Sequence, residues 1–124
     1  MSPRAHLPRQ VPIEAYGNGG FRFGGMSHRG SVLCLPTGIW GWAPLSVDAL
    51  DRAALEPVLD LGSDLSFLIL GTGAALTHAP RDVRMAFEAV GLGLEVMDTG
   101  AAARTYNILL AEGRPIAAAL IAVE

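Results

Sequence analysis

Lysine is absent from this 124-residue chain, and all nine of its cations are arginine. Those arginines are spread along the sequence, and the formal net charge is −3. A chain with no basic cluster lacks the electrostatic footprint of a nucleic-acid binder, so no nucleic-acid partner is expected. Cysteine is nearly absent too. Cys34 stands alone, which excludes an intrachain disulfide and fits a reducing compartment. No apolar run is long: the longest, Ile116 to Val123, falls far short of the roughly 20 residues a membrane span requires. The first ten residues, MSPRAHLPRQ, lack the apolar core of a secretion signal. They read as a flexible tail, followed by one domain over residues 11–124. The expectation is a cytoplasmic protein with no membrane insertion, peripheral association being left open.

What is present is apolar residue, 51% of the chain, enough for one real core in a domain of this size. Asn18-Gly19 lies between two short alternating segments, and both residues tolerate positive φ. That pair predicts a two-residue hairpin turn with strands over 12–17 and 20–24. SVLCLP, residues 31–36, predicts a third strand. GIWGWA predicts a fourth, with Trp40 and Trp42 on one face because strand side chains alternate. Residues 45–62 have helical spacing interrupted by Pro57, which predicts short helical turns with a break there.

From residue 65 the pattern is clearer. LSFLIL predicts a buried strand, and RDVRMAFEAVG a helix with Val83, Ala86, Phe87 and Val90 inward. LEVMD predicts a strand. TGAAARTYNILLAEG predicts a helix with Ala102, Ala103, Tyr106, Leu109 and Leu110 inward, and PIAAALIAV a closing strand. The second half is therefore β-α-β-α-β. The fold class is α/β: a three-layer single domain with a central mixed sheet and an N-terminal β-hairpin layer.

Gly71-Thr72-Gly73 and Asp98-Thr99-Gly100 then stand at the carboxyl ends of neighbouring strands, the edge where open α/β sheets bind ligands. The loop from Gly71 to Pro80 exceeds the about 2–6 residues usual for such connections. A dinucleotide fingerprint would need a third glycine where Leu76 stands, and a helix that starts at once. With no lysine for a phosphate loop and Asp98 close by, phosphate binding here is disfavoured. The bland reading is that two glycines supply tight backbone geometry.

No catalytic constellation stands out. Cys34 lies in an apolar strand, which favours a buried structural thiol. Ser27 in GGMSHRG misses the second glycine of a nucleophile elbow. His6, His28 and His78 form no ligand pair, so neither a metal nor a cofactor is expected. His78 rides the long loop above the sheet edge. Glu95 is either a buried acid or a residue on an exposed strand face. Thr105 and Asn107 either bond to neighbouring loops or line a cleft with Thr72. The candidate cleft is thus Gly71, Thr72, Gly73, His78, Glu95, Thr99, Thr105 and Asn107. Met85 and Ile108 point outward from their helices. With Trp40 and Trp42 they make a candidate interaction surface, unless the N-terminal β layer covers the tryptophans. An outward Ile108 also permits a homo-oligomer.

Three stretches carry a resemblance: IEAYGNGGFRF with SVLCLP and the tryptophan after it, the apolar strand ending in Gly71-Thr72-Gly73, and EVMDTGAAARTYNILLAEGRPIAAAL. Together they resemble the small domain of unknown function shared by the mitochondrial respiratory complex I assembly factor and the adipogenesis-associated domain protein, with many short bacterial and archaeal members. The likeness covers nearly everything after the first ten residues, and Thr105-Tyr106-Asn107 is its most specific part. It implies a three-layer α/β fold and no established activity or cofactor. It also implies a protein partner, since the mitochondrial member binds another assembly factor and matures complex I. Two functions follow: a non-enzymatic interaction or assembly factor for a respiratory complex or for membrane-protein biogenesis, or a small-molecule binder or enzyme using the sheet-edge cleft.

Overall fold

A computed structural model describes residues 7–124. Strands β1 (Ile13–Gly17), β2 (Gly20–Phe23) and β3 (Met26–Arg29) form an antiparallel three-stranded sheet. Its first turn is the expected one: Asn18 and Gly19 have φ of 53° and 78°. The second turn, Gly24-Gly25, has φ of 56° and 76° and creates β3, a strand the sequence pattern did not suggest. A Gly-Gly pair is itself a hairpin signal, because both central residues of such a turn need positive φ. The N-terminal layer is therefore a meander of three strands.

The central sheet has five strands in the order β5-β4-β8-β6-β7. They are β4 (Ser31–Leu35), β5 (Gly38–Trp42), β6 (Phe67–Gly71), β7 (Gly93–Met97) and β8 (Ile116–Leu120). β8 runs parallel to β6 and antiparallel to β4, so the sheet is mixed. All of β8 is buried. Its alternating residues serve both faces, Ala117 and Ala119 in one core cluster, Ile116, Ala118 and Leu120 in the other. Small side chains at the middle of the sheet let both outer layers approach it closely.

Helices α2 (Arg81–Ala89) and α3 (Thr99–Ala111) lie on opposite faces. Val83 and Phe87 of α2 join the first cluster with Leu68, Leu70, Leu33 and Leu35. Ala102, Ala103 and Tyr106 of α3 join the second with Phe21, Phe23, Ile69 and Cys34. Two right-handed crossovers that move in opposite directions along a sheet must put their helices on opposite faces, as here. The layers are α2 with residues 45–61, the five-stranded sheet, then α3 with the three-stranded sheet.

Local signals set the ends. Asp98 caps α3, its Oδ1 accepting from Ala101 N at 2.9 Å. Gly91 and Gly113, with φ of 70° and 74°, follow the ends of α2 and α3. Pro57 follows a 3-10 turn over Ala53–Leu55, so the expected short helical turns with a break beside it are present. The proline sits in the first turn of the one-turn α1 (Glu56–Leu59), where its missing N–H costs nothing. Val90 lies outside α2, at backbone angles of −100° and 3°, and is exposed rather than inward. The closing strand ends at Leu120, and the chain after it is held by single bonds: Ile121 N to Gly71 O (3.0 Å), Ala122 N to Ser31 Oγ (2.9 Å) and Gly19 N to Val123 O (2.7 Å).

Two expectations need correction. The tryptophans share a face and are half-buried, but it is not the three-stranded sheet that covers them. Both pack on the α2 side, under residues 51–59, and Trp42 Nε1 donates to Ala54 O at 2.8 Å. The three-stranded sheet covers the other side of β5, over Ile39. The tail expected over residues 1–10 falls partly outside the described residues, as do His6 and Arg4. Its second half lies on the domain: Leu7 bridges Ile39, and Gln10 Nε2 donates to Ile116 O at 2.7 Å.

Cys34 is fully buried beside Tyr106. Burial pushes its thiol from 9.0 to about 12, the hydrogen bond with Tyr106 pulling slightly the other way. Burial, reinforced by the neighbouring Cys34, also raises the Tyr106 phenol. Both groups are neutral below their unfolded pKa, so they leave stability flat there. Above pH 9 the unfolded thiol ionises while the folded one does not, so stability falls with pH until about 12. The expected slope for Cys34 approaches 1.4 kcal/mol per pH unit, flattened in Cys34→Ala. Urea unfolding of both proteins between pH 8 and about 11 checks this. Equal slopes would contradict the burial argument.

Candidate functional site

The strands β6, β7 and β8 are parallel, so their carboxyl ends share one rim, and both glycine-bearing junctions emerge there. The residues of that rim bond chiefly to each other. Thr99, fully buried, donates its hydroxyl to Ile121 O at 2.7 Å and accepts from Gly73 N at 2.9 Å. Its own N–H donates to Gly73 O at 2.8 Å. Gly73, at φ 103°, turns the chain back to make these contacts. The Thr72 hydroxyl donates to Ala75 O at 2.7 Å and accepts from Thr77 N at 3.2 Å, so the first half of the long loop wraps on one side chain. Ala79 then anchors the loop in the core below α2.

The structure separates the remaining cleft candidates from this group. His78 is exposed on the loop, and Glu95 is exposed on the edge strand β7. Thr105 turns toward β7, its hydroxyl 3.5 Å from Met97 Sδ. Asn107 lies well along α3 and holds β1. It accepts from Ile13 N at 2.8 Å and donates to Ile13 O at 2.9 Å. Tyr106 donates its hydroxyl to Val11 O at 2.9 Å. The Tyr106-Asn107 pair is thus a clasp for the N-terminal strand, with the amide acting as a substitute neighbouring strand. Asn107→Ala should cost about 1.5 kcal/mol, from two hydrogen bonds that are only part-buried. Hydrogen exchange should show Ile13 and Glu14 opening faster while α3 is unchanged. Unchanged exchange at Ile13 would remove the clasp.

A depression of about 390 Å³ does open on the rim, between residues 45–48, the loop 72–77 and the final four residues. Its walls are mostly apolar, with Thr72, Thr77, Ser46, Asp48 and Glu124 as polar members. Leu45 and Leu76, beside it, are 67% and 66% exposed. Leu76 therefore does not plug the edge. Met85 and Ile108, 54% and 60% exposed, sit on α2 and α3 and hence on opposite sides of the sheet. With the tryptophans under residues 51–59, the four residues of the expected interaction surface do not meet. Nothing in the sequence marks Leu45 and Leu76 as exposed, since each follows a proline- or glycine-bearing segment and precedes no continuous helix.

Among the described residues no three His, Cys, Asp or Glu side chains come together, and no helix is long and apolar enough to cross a membrane.

Known proteins resemble this chain in sequence and in fold. An uncharacterized protein of Rhodobacter capsulatus is 39% identical over 122 residues, covering 98% of this chain and 93% of that one. The mouse protein named NADH dehydrogenase [ubiquinone] 1 alpha subcomplex assembly factor 3 is 29% identical over 118 residues, 95% of this chain. The chain spans 64% of that relative's length. A crystal structure described as an outer membrane protein from Bartonella henselae superimposes with a TM-score of 0.91 at 44% identity, covering 96% of this chain and 100% of the other. Residues 13–121, from the first strand to the end of the central sheet, match the model of the protein family of unknown function DUF498/DUF598, and the chain belongs to that family.

Proposed function

We propose that the chain is a non-enzymatic, protein-binding assembly factor acting in the biogenesis of a respiratory or other membrane complex. The observation that supports this reading most is the likeness to assembly factor 3, which extends over 95% of the chain and so includes both sheets, α3 and the rim. The rim supplies the surface. Leu45 lines a depression, and Leu76 stands exposed in the 72–77 loop beside it; among the described residues the depression's charged members are the acids Asp48 and Glu124. Apolar area ringed by polar groups suits a protein partner, here a segment carrying apolar and cationic residues.

The test is capture of the tagged protein from gently solubilised membranes of its source organism, with respiratory-complex subunits and their assembly factors quantified against a tag-only control. Enrichment of those proteins, lost in Leu45→Glu/Leu76→Glu, is the expected result. The double variant should stay folded, since exposed substitutions usually change stability by about 0.5 kcal/mol or less. No enrichment over the control, with normal levels of the complex in a deletion strain, would overturn the reading.

A further inference from the structure

The nine arginines look scattered in sequence, but the small sheet brings two of them together. β2 and β3 pair with Arg22 opposite Ser27 and Gly20 opposite Arg29. Arg22 and Arg29 are therefore diagonal neighbours on one face of adjacent strands. Such positions lie about 7–8 Å apart, within reach of a single ligand for side chains this long. Phe21 and Phe23 occupy the other face of β2 and are buried, so the arginine face looks outward, and both arginines are exposed.

That face is concave. A depression of about 430 Å³ lies over it, floored by Gly17 and Gly20 and lined by Arg22, Ser27, Arg29 and Asn18. Gly20 is glycine because a Cβ there would collide with His28 O of the facing strand. The missing side chains make the hollow. Among the described residues no carboxylate lines it, although the Glu124 side chain lies against Gly19 in the turn at its end. Glu14, at the other end of the sheet, accepts from Gly25 N at 3.3 Å. Among the described residues the ion pair is Arg52 with Glu56, and neither Arg22 nor Arg29 has one.

We propose that this hollow binds a phosphate-bearing ligand, with Arg22 and Arg29 gripping the phosphoryl group and the Ser27 hydroxyl and Asn18 amide as further donors. Two guanidinium forks match the geometry and the charge of a phosphate monoester, which carries roughly −1.5 to −2 at pH 7. A single carboxylate would leave one cation unanswered. The site lies on the outer layer and shares no lining residue with the rim depression, which it meets where Gly19 N donates to Val123 O.

The experiment titrates the isotopically labelled protein with inorganic phosphate at constant ionic strength, chloride replacing it in the control, and follows backbone amides by NMR. Saturable shifts at Gly20, Arg22, Ser27 and Arg29 are expected. Arg22→Gln and Arg29→Gln should each weaken binding by about tenfold or more, the size of one lost charged hydrogen bond. Arg22→Lys, which keeps the charge and loses the fork, should fall between. The melting temperature should not move, since both arginines are exposed. Non-saturating shifts, the same shifts with chloride, or unweakened binding in both glutamine variants would overturn the site. A second arm uses phosphatidylcholine vesicles carrying phosphatidic acid. Cosedimentation abolished by Arg22→Gln/Arg29→Gln identifies a lipid headgroup as the source of the phosphate. Saturable phosphate binding without cosedimentation identifies a soluble phosphate ester.

Discussion

Thr99→Val should lower the free energy of unfolding by about 3 kcal/mol, while Thr99→Ser should cost about 1 kcal/mol. Valine keeps the shape of threonine and removes only the hydroxyl. That hydroxyl is fully buried, donates to Ile121 O and accepts from Gly73 N. Its loss leaves an acceptor and a donor without partners, each worth about 1–3 kcal/mol when buried. Serine keeps both bonds and loses one methyl group. Urea denaturation gives the difference, and the valine variant should melt about 10 °C lower. A valine variant as stable as the serine one would mean that water reaches Gly73 and Ile121, and the rim would then be open rather than bonded shut.

This contrast bears on function. A threonine beside Gly-Thr-Gly at a sheet edge invites a ligand-binding reading. Geometry gives its hydroxyl a structural occupation instead, tying the β6 loop, the start of α3 and the end of β8 into one junction. Thr72 and Asn107 are occupied in the same way. The rim that a partner or ligand would meet is thus made of side chains outside this network, above all Leu45 and Leu76.

The parts of the fold that could be read from sequence were those set by local physics. Asn18-Gly19 announces its turn because both residues must adopt positive φ. Asp98 and Gly113 mark the ends of α3 by the needs of its unpaired backbone groups. The β-α-β-α-β order follows from a change of period that any folded context would preserve. The missed parts depend on the neighbour rather than the residue. Trp40 and Trp42 do share a face, but the partial cover over it comes from a segment of short helical turns whose course over the sheet the sequence does not specify. Met85 and Ile108 were correctly outward, yet which face each helix takes depends on the strand order. β8 joins β6 on the side away from β7, and only that choice sends α3 to the opposite face. Arg22 and Arg29 meet through the register of β2 and β3, and that register rests on a Gly24-Gly25 turn that was not recognised. Asn107 was legible as a family-typical residue. Its role was not, because Ile13 lies 94 positions away.

The glycine at position 71 can decide between a ligand cradle and a packing requirement, and Gly71→Ala should cost about 2 kcal/mol. Its Cβ would lie 2.9 Å from Thr99 Oγ1, 3.0 Å from Thr99 Cα and 3.1 Å from Leu120 Cδ2. Two of those atoms belong to the anchored start of α3, so they cannot move aside as the end of a free side chain would. Overpacking of this kind costs about 1–3 kcal/mol, and alanine recovers about 0.5–1 kcal/mol through its smaller backbone entropy loss. The clash outweighs that recovery. Gly71 also points to the α3 face, as Phe67 and Ile69 do, so its small size sets how closely helix and sheet approach. Thermal melts of Gly71→Ala, alone and with Thr99→Ala, which removes the Oγ1 that the new Cβ would strike, check the argument. If the two sites share one contact, removing Oγ1 should alter the Gly71→Ala penalty, giving a coupling energy of about 0.5 kcal/mol or more. An alanine variant of undiminished stability would leave the packing explanation without support, and a bound ligand would become the better reason for glycine at this position.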